Sequence, residues 1–251
     1  MGYSLNIIKV DNALSTNTLL ASMAGEVEHG TVVLAREQSA GRGQRGNTWE
    51  AEPGKNITMS ILLKPILIQP KYMHIISEIV SLSIVKVLRR YIAPSQGTVS
   101  IKWPNDIYVD DKKICGILVE NSLMGDYIAH SIVGIGLNVN QLEFRSDAPN
   151  PVSIGMLTGQ ELPVGDLARD LAADILAEMS NCQTEDPTID ATHRDYQKEL
   201  WRREGYHMYV TPDGCRFKAR IAGVEKTGIL TLEEEDGTRR DFAFKEVAAV
   251  L

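Results

Sequence analysis

The chain is poor in cysteine: Cys115, Cys182 and Cys215 are its only three, an odd number set far apart. That excludes a disulfide framework and a Cys-x-x-Cys metal site. Cys115 lies inside an apolar run and reads as a small core residue. No apolar run is long enough to cross a bilayer. Met1–Leu5 lacks a cationic stretch leading into an apolar one, so no signal peptide is expected. Cationic excess is missing too: the formal net charge is −7, which argues against a nucleic-acid-coating protein. There is no Gly-x-x-x-x-Gly-Lys-Ser/Thr loop, no kinase signature and no Ser-His-Asp arrangement. Repeats are absent, and His130 has no neighbours at metal-ligand spacing. These absences leave a soluble, cytoplasmic chain of 251 residues, 43% apolar and 24% charged. That length suits one substantial domain and a small second one.

What the chain does concentrate is glycine and arginine, in Gln38-Ser39-Ala40-Gly41-Arg42-Gly43-Gln44-Arg45-Gly46-Asn47-Thr48-Trp49. Glycine lets backbone N–H groups turn onto an anion, and arginine adds a planar fork of donors for phosphate or carboxylate. Trp49 offers a flat face for a base or ring. By composition alone the stretch is a solvated turn, because short glycine motifs recur by chance. Fed by the strand 31–36, it reads as a cradle for an anionic, nucleotide-like ligand. The Gly-x-Gly-x-x-Gly within Gly41–Gly46 lacks the later acidic residue of a dinucleotide site, and that reading is set aside.

Other elements supply the rest of a site. Residues 5–10 read as a strand, followed by a polar cluster in which Ser15, Thr16 or Asn17 can cap a helix or face a small polar ligand; capping is the commoner use. Residues 57–63 read as a buried strand, and 72–92 as the longest helix, with one apolar face. Within 99–109 a strand runs into Pro104, which sets up a turn; residues 110–112 supply another and the chain returns over 113–120, so the hairpin base displays Lys102, Asn105, Asp106 and Lys113. In the strand 127–140, Gly134 and Gly136 fall on one face, where either a ligand lies flat on the sheet or the strand bulges. Residues 141–163 read as loop with a helical turn near Ser153, followed by helices over 165–181 and 188–203. From Gly205, strands over 206–210, 216–224, 228–233 and 241–245 are joined by turns at hairpin spacing, the pattern of a small five-strand-type barrel. Arg42, Arg45, Lys102 and Lys113 are cations able to hold phosphates. Asp106 can hold Mg²⁺, whose sites combine one or two carboxylates with substrate phosphates. Ser15, Thr16, Gln38 and Asn105 suit a polar head group.

Taken in order, Ser15-Thr16-Asn17, Gln38–Gly43 with Trp49, Lys102-Trp103-Pro104-Asn105-Asp106, Lys113–Glu120 and Gly134–Asn138 resemble the motifs of biotin protein ligases, also called biotin–[acetyl-CoA-carboxylase] ligases. The resemblance covers nearly the whole chain. It implies an α+β fold: a mixed central sheet flanked by helices over 1–204 and a C-terminal SH3-like barrel over 205–251. It implies that biotin and ATP, with Mg²⁺, form biotinyl-5′-AMP, and that biotin then passes to a lysine of a biotin carboxyl carrier protein domain of a carboxylase. By motif position, Ser15, Thr16, Asn17, Gln38 and Gly41 hold biotin, with Gly116 and Gly134 admitting it to the sheet. Arg42 bridges carboxylate and α-phosphate, and Lys113 stabilises the same reacting oxygens. Gly43, Gln44, Arg45, Trp49, Asn105 and Asn138 serve the nucleotide, and Asp106 the metal. Gln44 and Asn47 stand where some members carry further arginines. Only about fourteen residues precede Ser15, so the form without a DNA-binding domain is expected, as a monomer or weak homodimer acting without DNA or membrane. A lipoate or octanoate ligase of the same fold, and a non-catalytic binding regulator, are the rival readings.

Overall fold

The computed structural model describes residues 5–44, 47–64, 68–145, 150–181 and 187–251. Strand β1 (Asn6–Ala13) runs through helix α1 (Thr16–Met23) into β2 (Thr31–Gln38), which pairs parallel to it. β3 (Ile57–Leu63), β4 (Val99–Lys102), β5 (Asp106–Val109), β6 (Lys112–Met124) and β7 (Tyr127–Leu137) add antiparallel, giving the order β1-β2-β3-β7-β6-β5-β4. The sheet is therefore mixed, as expected.

Side-chain alternation gives its two faces different jobs. In β3 all seven residues are buried. Ile57, Met59, Ile61 and Leu63 join the large core, whereas Leu62 joins a small core with Leu20, Ala24, Val33 and Ile132 under α1. Thr58 and Ser60, also buried, share the α1 face. The large core lies under α2 (His74–Leu88), with α4 (Val164–Asn181) and α5 (Pro187–Lys198) packed on α2 in turn. That sandwiching explains a departure from the expected single apolar face. Eleven α2 residues are buried, among them Glu78, Ser81 and Ser83, because the helix is covered by sheet on one side and helices on the other.

The run 99–109 turns at Pro104, as its proline implied. It breaks around Pro104, where the Trp103–Pro104 bond is cis, into β4 and β5. β7 stops at Leu137, short of the expected Asn140, because Asn138 turns to a loop: its Nδ2 donates to Val152 O at 3.0 Å. The helical turn near Ser153 is α3 (Ile154–Thr158), capped by Ser153 Oγ.

After α5 come β8 (His207–Val210), β9 (Arg216–Val224), β10 (Leu230–Glu234), β11 (Arg239–Phe242) and a short strand the sequence did not announce, β12 (Ala248–Ala249). They pair antiparallel in the order β11-β10-β9-β8-β12, giving a five-stranded sheet. Several contacts fix this sheet to the rest of the chain. Trp103 Nε1 donates to Gly228 O at 2.9 Å, Gln197 exchanges hydrogen bonds with Val224 N and O, and Arg202 donates to Val250 O. Gly228 has φ +89°, and a Cβ there would press on the His74 ring. Among the described residues no helix is long and apolar enough to cross a membrane.

Candidate active site

The face of the large sheet that carries α1 is left uncovered toward β6 and β5, and a cleft of about 570 Å³ opens there, a size suited to a small organic ligand. Its floor carries Gly116, Gly134 and Gly136, and its near end Ser15, Thr16, Asn17 and Gln38. Arg42, Gly43, Gln44 and Trp49 come from the glycine loop, and Lys102, Asn105, Asp106 and Lys113 from the β4–β5–β6 turns. The second sheet closes the far side with Ile221, and the turn between its last two strands adds Phe244 and Val247.

At the near end, Ser15 sits at the N-cap of α1 but its side chain caps nothing. Gln38 does that work instead: its Oε1 accepts from Thr16 N at 2.7 Å and from Thr16 Oγ1 at 3.2 Å. Behind them is Ser60, 0% exposed, which lies 2.7 Å from Thr16 Oγ1 and 2.5 Å from Asn17 Oδ1. A hydroxyl donates once and accepts as well, so Ser60 can donate to Asn17 Oδ1 while accepting from Thr16, and this end of the cleft is one connected neutral polar network. The sequence held a signal for Ser60. It and Thr58 are the only polar residues of β3, two apart and therefore on one face.

The floor glycines are used by the protein's own side chains. A Cβ at Gly134 would collide with Asn17 Oδ1, and one at Gly136 with the Trp49 indole. A Cβ at Gly116 would stand 3.1 Å from Trp49 and 3.5 Å from Lys113 Nζ. Trp49 thus lies flat over the Gly116–Gly136 pair, with Lys113 Nζ 5.7 Å from its ring centroid, a cation–π arrangement. Trp49 Nε1 is buried with no hydrogen-bond partner among the described residues. In this conformation the face beside these glycines is filled by Asn17 and Trp49.

Each central cation faces a carboxylate. Lys113 Nζ is 2.7 Å from Asp106 Oδ1, and Arg42 NH2 is 2.8 Å from Glu120 Oε2, an oxygen that also accepts from Asn17 Nδ2 at 2.7 Å. Lys102 donates to Tyr108 Oη at 2.8 Å and sits over the rings of Tyr108 and Trp201. Burial lowers its pKa, partly offset by Asp106. Burial also raises the Tyr108 phenol, with Asp106 adding to it. Asn105 is anchored by Nδ2 donating to Ile117 O at 2.7 Å. Among the described residues no three His, Cys, Asp or Glu gather as a metal cluster. Asp106 alone fits a Mg²⁺ that arrives with phosphates rather than one held in a protein cage.

Two expected residues fall elsewhere. Gly41 does not line the cleft: its O accepts from Trp49 N, and a Cβ there would meet Trp49 O at 2.6 Å, so it seats the loop. Asn138 is 2% exposed and holds the loop before α3, away from the cleft. Arg45 lies outside the described residues. Conversely, Ser60 and the far wall from the second sheet are features that the motifs did not single out, and Glu120, at the end of one motif, had no role assigned.

A sequence profile of the biotin/lipoate A/B protein ligase family matches residues 10–138, the span that carries Ser15–Asn17, the glycine loop and the strands of the floor. The chain belongs to that family. It is 28% identical over 230 residues to the bifunctional ligase/repressor BirA of Bacillus spizizenii, covering 85% of this chain and 65% of that protein. The chain therefore spans less than two thirds of that relative's length. It is 34% identical over 128 residues to the biotin–[acetyl-CoA-carboxylase] ligase of Paracoccus denitrificans, about half of each chain. The fold is shared with the biotin protein ligase of Aquifex aeolicus, solved with biotin and ATP, at TM-score 0.77 and 22% identity over 98% of both chains.

Proposed function

We propose that the chain is a biotin protein ligase, which activates biotin with ATP to biotinyl-5′-AMP and passes biotin to a lysine of a biotin carboxyl carrier protein domain in the cytoplasm. The observation that carries this reading is one cleft holding a neutral polar end of hydroxyl and amide groups and, beside it, two cations each balanced by a carboxylate. The acceptors Thr16 Oγ1 and Asn17 Oδ1 suit a ring that brings N–H groups, as the ureido ring of biotin does. A dithiolane or an alkyl chain brings none, which disfavours lipoate and octanoate. Membership of the family and the names of the relatives support the same reading.

The chemistry sets two requirements. A carboxylate must attack a phosphate, so two anions have to be screened before they approach. The gain then comes from positioning and preorganised charge. Arg42 screens the biotin carboxylate and the α-phosphate, and Lys113 the oxygens that gain charge as pyrophosphate leaves. Asn105 and Gly43 serve the nucleotide side, and Trp49 offers its face to the adenine. Mg²⁺ entering with ATP would be held by Asp106 and would neutralise phosphate charge. In the second step a lysine amine attacks the mixed anhydride carbonyl and AMP leaves. The wall supplied by residues 205–251, which we take as a second domain, helps exclude water from the anhydride. A regulator that only binds would not need two cations at the reacting oxygens.

The test is transfer of labelled biotin, in the presence of ATP and Mg²⁺, to a purified carrier domain. Labelling of one lysine, with lipoate and octanoate inert, is expected. Transfer of lipoate or octanoate in place of biotin would overturn the substrate assignment.

A further inference from the structure

Glu120 stands beside the cleft and bonds to two residues that line it, Asn17 and Arg42. It projects from β6 opposite Ile132, and its Oε2 accepts from both the Asn17 amide at 2.7 Å and the Arg42 guanidinium at 2.8 Å. Asn17 itself is pinned. It is 2% exposed, its Oδ1 takes the Ser60 hydroxyl, and the missing Cβ of Gly134 makes its seat. Arg42 is not pinned in that way: 45% of its side chain is exposed, and 40% of that of Glu120. The carboxylate therefore has one firm partner and one exchangeable one.

We propose that Glu120 is a positioning residue that holds Arg42 against the head-group pocket in the empty cleft and gives it up to the first anionic ligand, so that the second ligand finds the guanidinium already free. This rests on the ligase reading, in which biotin and ATP both address Arg42. The ion pair has to be broken once per turnover. The ligand that breaks it bears the cost, and the next one does not, which is positive coupling between the two sites. An exposed ion pair of this kind is weak, so the coupling it supplies is about threefold to fivefold. Asn17 keeps the freed carboxylate from swinging into the cleft, where it would repel the phosphates.

The experiment is calorimetry on the full chain with biotin and the α,β-methylene analogue of ATP, which cannot release pyrophosphate. In the wild type, saturating biotin is expected to tighten analogue binding about threefold to fivefold more than in Glu120→Gln. The variant keeps an amide oxygen for Asn17 but no charge for Arg42. In Glu120→Gln the analogue alone should bind correspondingly tighter than to the wild type. Ser60→Ala separates the two roles: it should weaken biotin binding and keep the coupling, because Ser60 touches Asn17 and Thr16 but not Arg42. Coupling in Glu120→Gln equal to that of the wild type would overturn the proposal while leaving the ligase reading intact. A wild type that takes up no biotin would overturn both. Equal thermal midpoints for wild type and Glu120→Gln would show that the change is not one of folding.

Discussion

At the side of the cleft, Arg42 and Glu120 meet with 45% and 40% of their side chains exposed. Between α2 and α5, Glu78 is 1% exposed and faces two imidazoles, His193 Nδ1 at 2.8 Å and His74 Nε2 at 3.8 Å. Both assemblies pair a carboxylate with a cationic or ionisable group, yet their surroundings give them opposite uses. A half-exposed ion pair contributes at most about 1 kcal/mol, so a ligand anion can replace Glu120 on Arg42 without loosening the fold. A buried carboxylate cannot exchange partners so easily, because a charge left alone out of water is heavily penalised. Burial raises the pKa of Glu78, and the hydrogen bond from His193 works against that. The same hydrogen bond raises His193, while burial, helped by the His193 charge, lowers His74 to about 4. This second cluster ties helix to helix and, through Gln197 and Val224, helices to the second sheet.

If that division holds, substitutions in the two places should separate rate from stability. Lys113→Ala removes preorganised positive charge and should lower adenylate formation by about 10²- to 10³-fold in single-turnover measurements. Its urea midpoint should correspond to a change within about 0.5 kcal/mol. Glu78→Ala should do the reverse. Leaving His193 without its carboxylate should cost about 3 kcal/mol of stability, read by urea unfolding, with the adenylation rate below the transition unchanged within about twofold.

The smallest expected effect is in pH. The folded pKa of His74, about 4, lies below its ordinary 6.5. The unfolded chain therefore binds more protons between those values, and the His74 contribution, fully present above pH 6.5, is lost as pH falls toward 4. Between pH 7.5 and 5 this removes about 2 kcal/mol. His193, whose folded pKa is raised, acts in the opposite sense in every variant that retains it. His74→Phe, which keeps a ring against Tyr196, should therefore lose about 2 kcal/mol less than the wild type over that range. An identical loss in both proteins would remove His74 from the acid response.

Legibility in the sequence followed how local each feature is. β3, with its apolar run, and the β5–β6 turn at Asp110-Asp111-Lys112 stood in the sequence because periodicity and turn chemistry act over a few residues. So did the polar set of the β4–β5–β6 turns, which the cleft does gather. β12 is two residues long and exists only because β8 offers it an edge, so no local pattern marked it. The burial of α2 on nearly all sides depends on α4 and α5, more than seventy residues later in sequence. Gly134 and Gly136 were legible as residues that admit something close. That the occupants are Asn17 and Trp49 follows only from how α1 and the glycine loop fold back over the sheet. Glu120 ends an apolar run and looks like ordinary strand polarity until Asn17 and Arg42 are brought to it.

The most direct measurement is exchange of labelled pyrophosphate into ATP, with and without biotin, in the wild type and in Lys113→Ala. Exchange that requires biotin and falls about 10²- to 10³-fold in Lys113→Ala is expected, since the cleft cations would then be those that screen the reacting oxygens. Exchange without biotin, or an unchanged rate in Lys113→Ala, would contradict the assignment of this cleft to biotin activation.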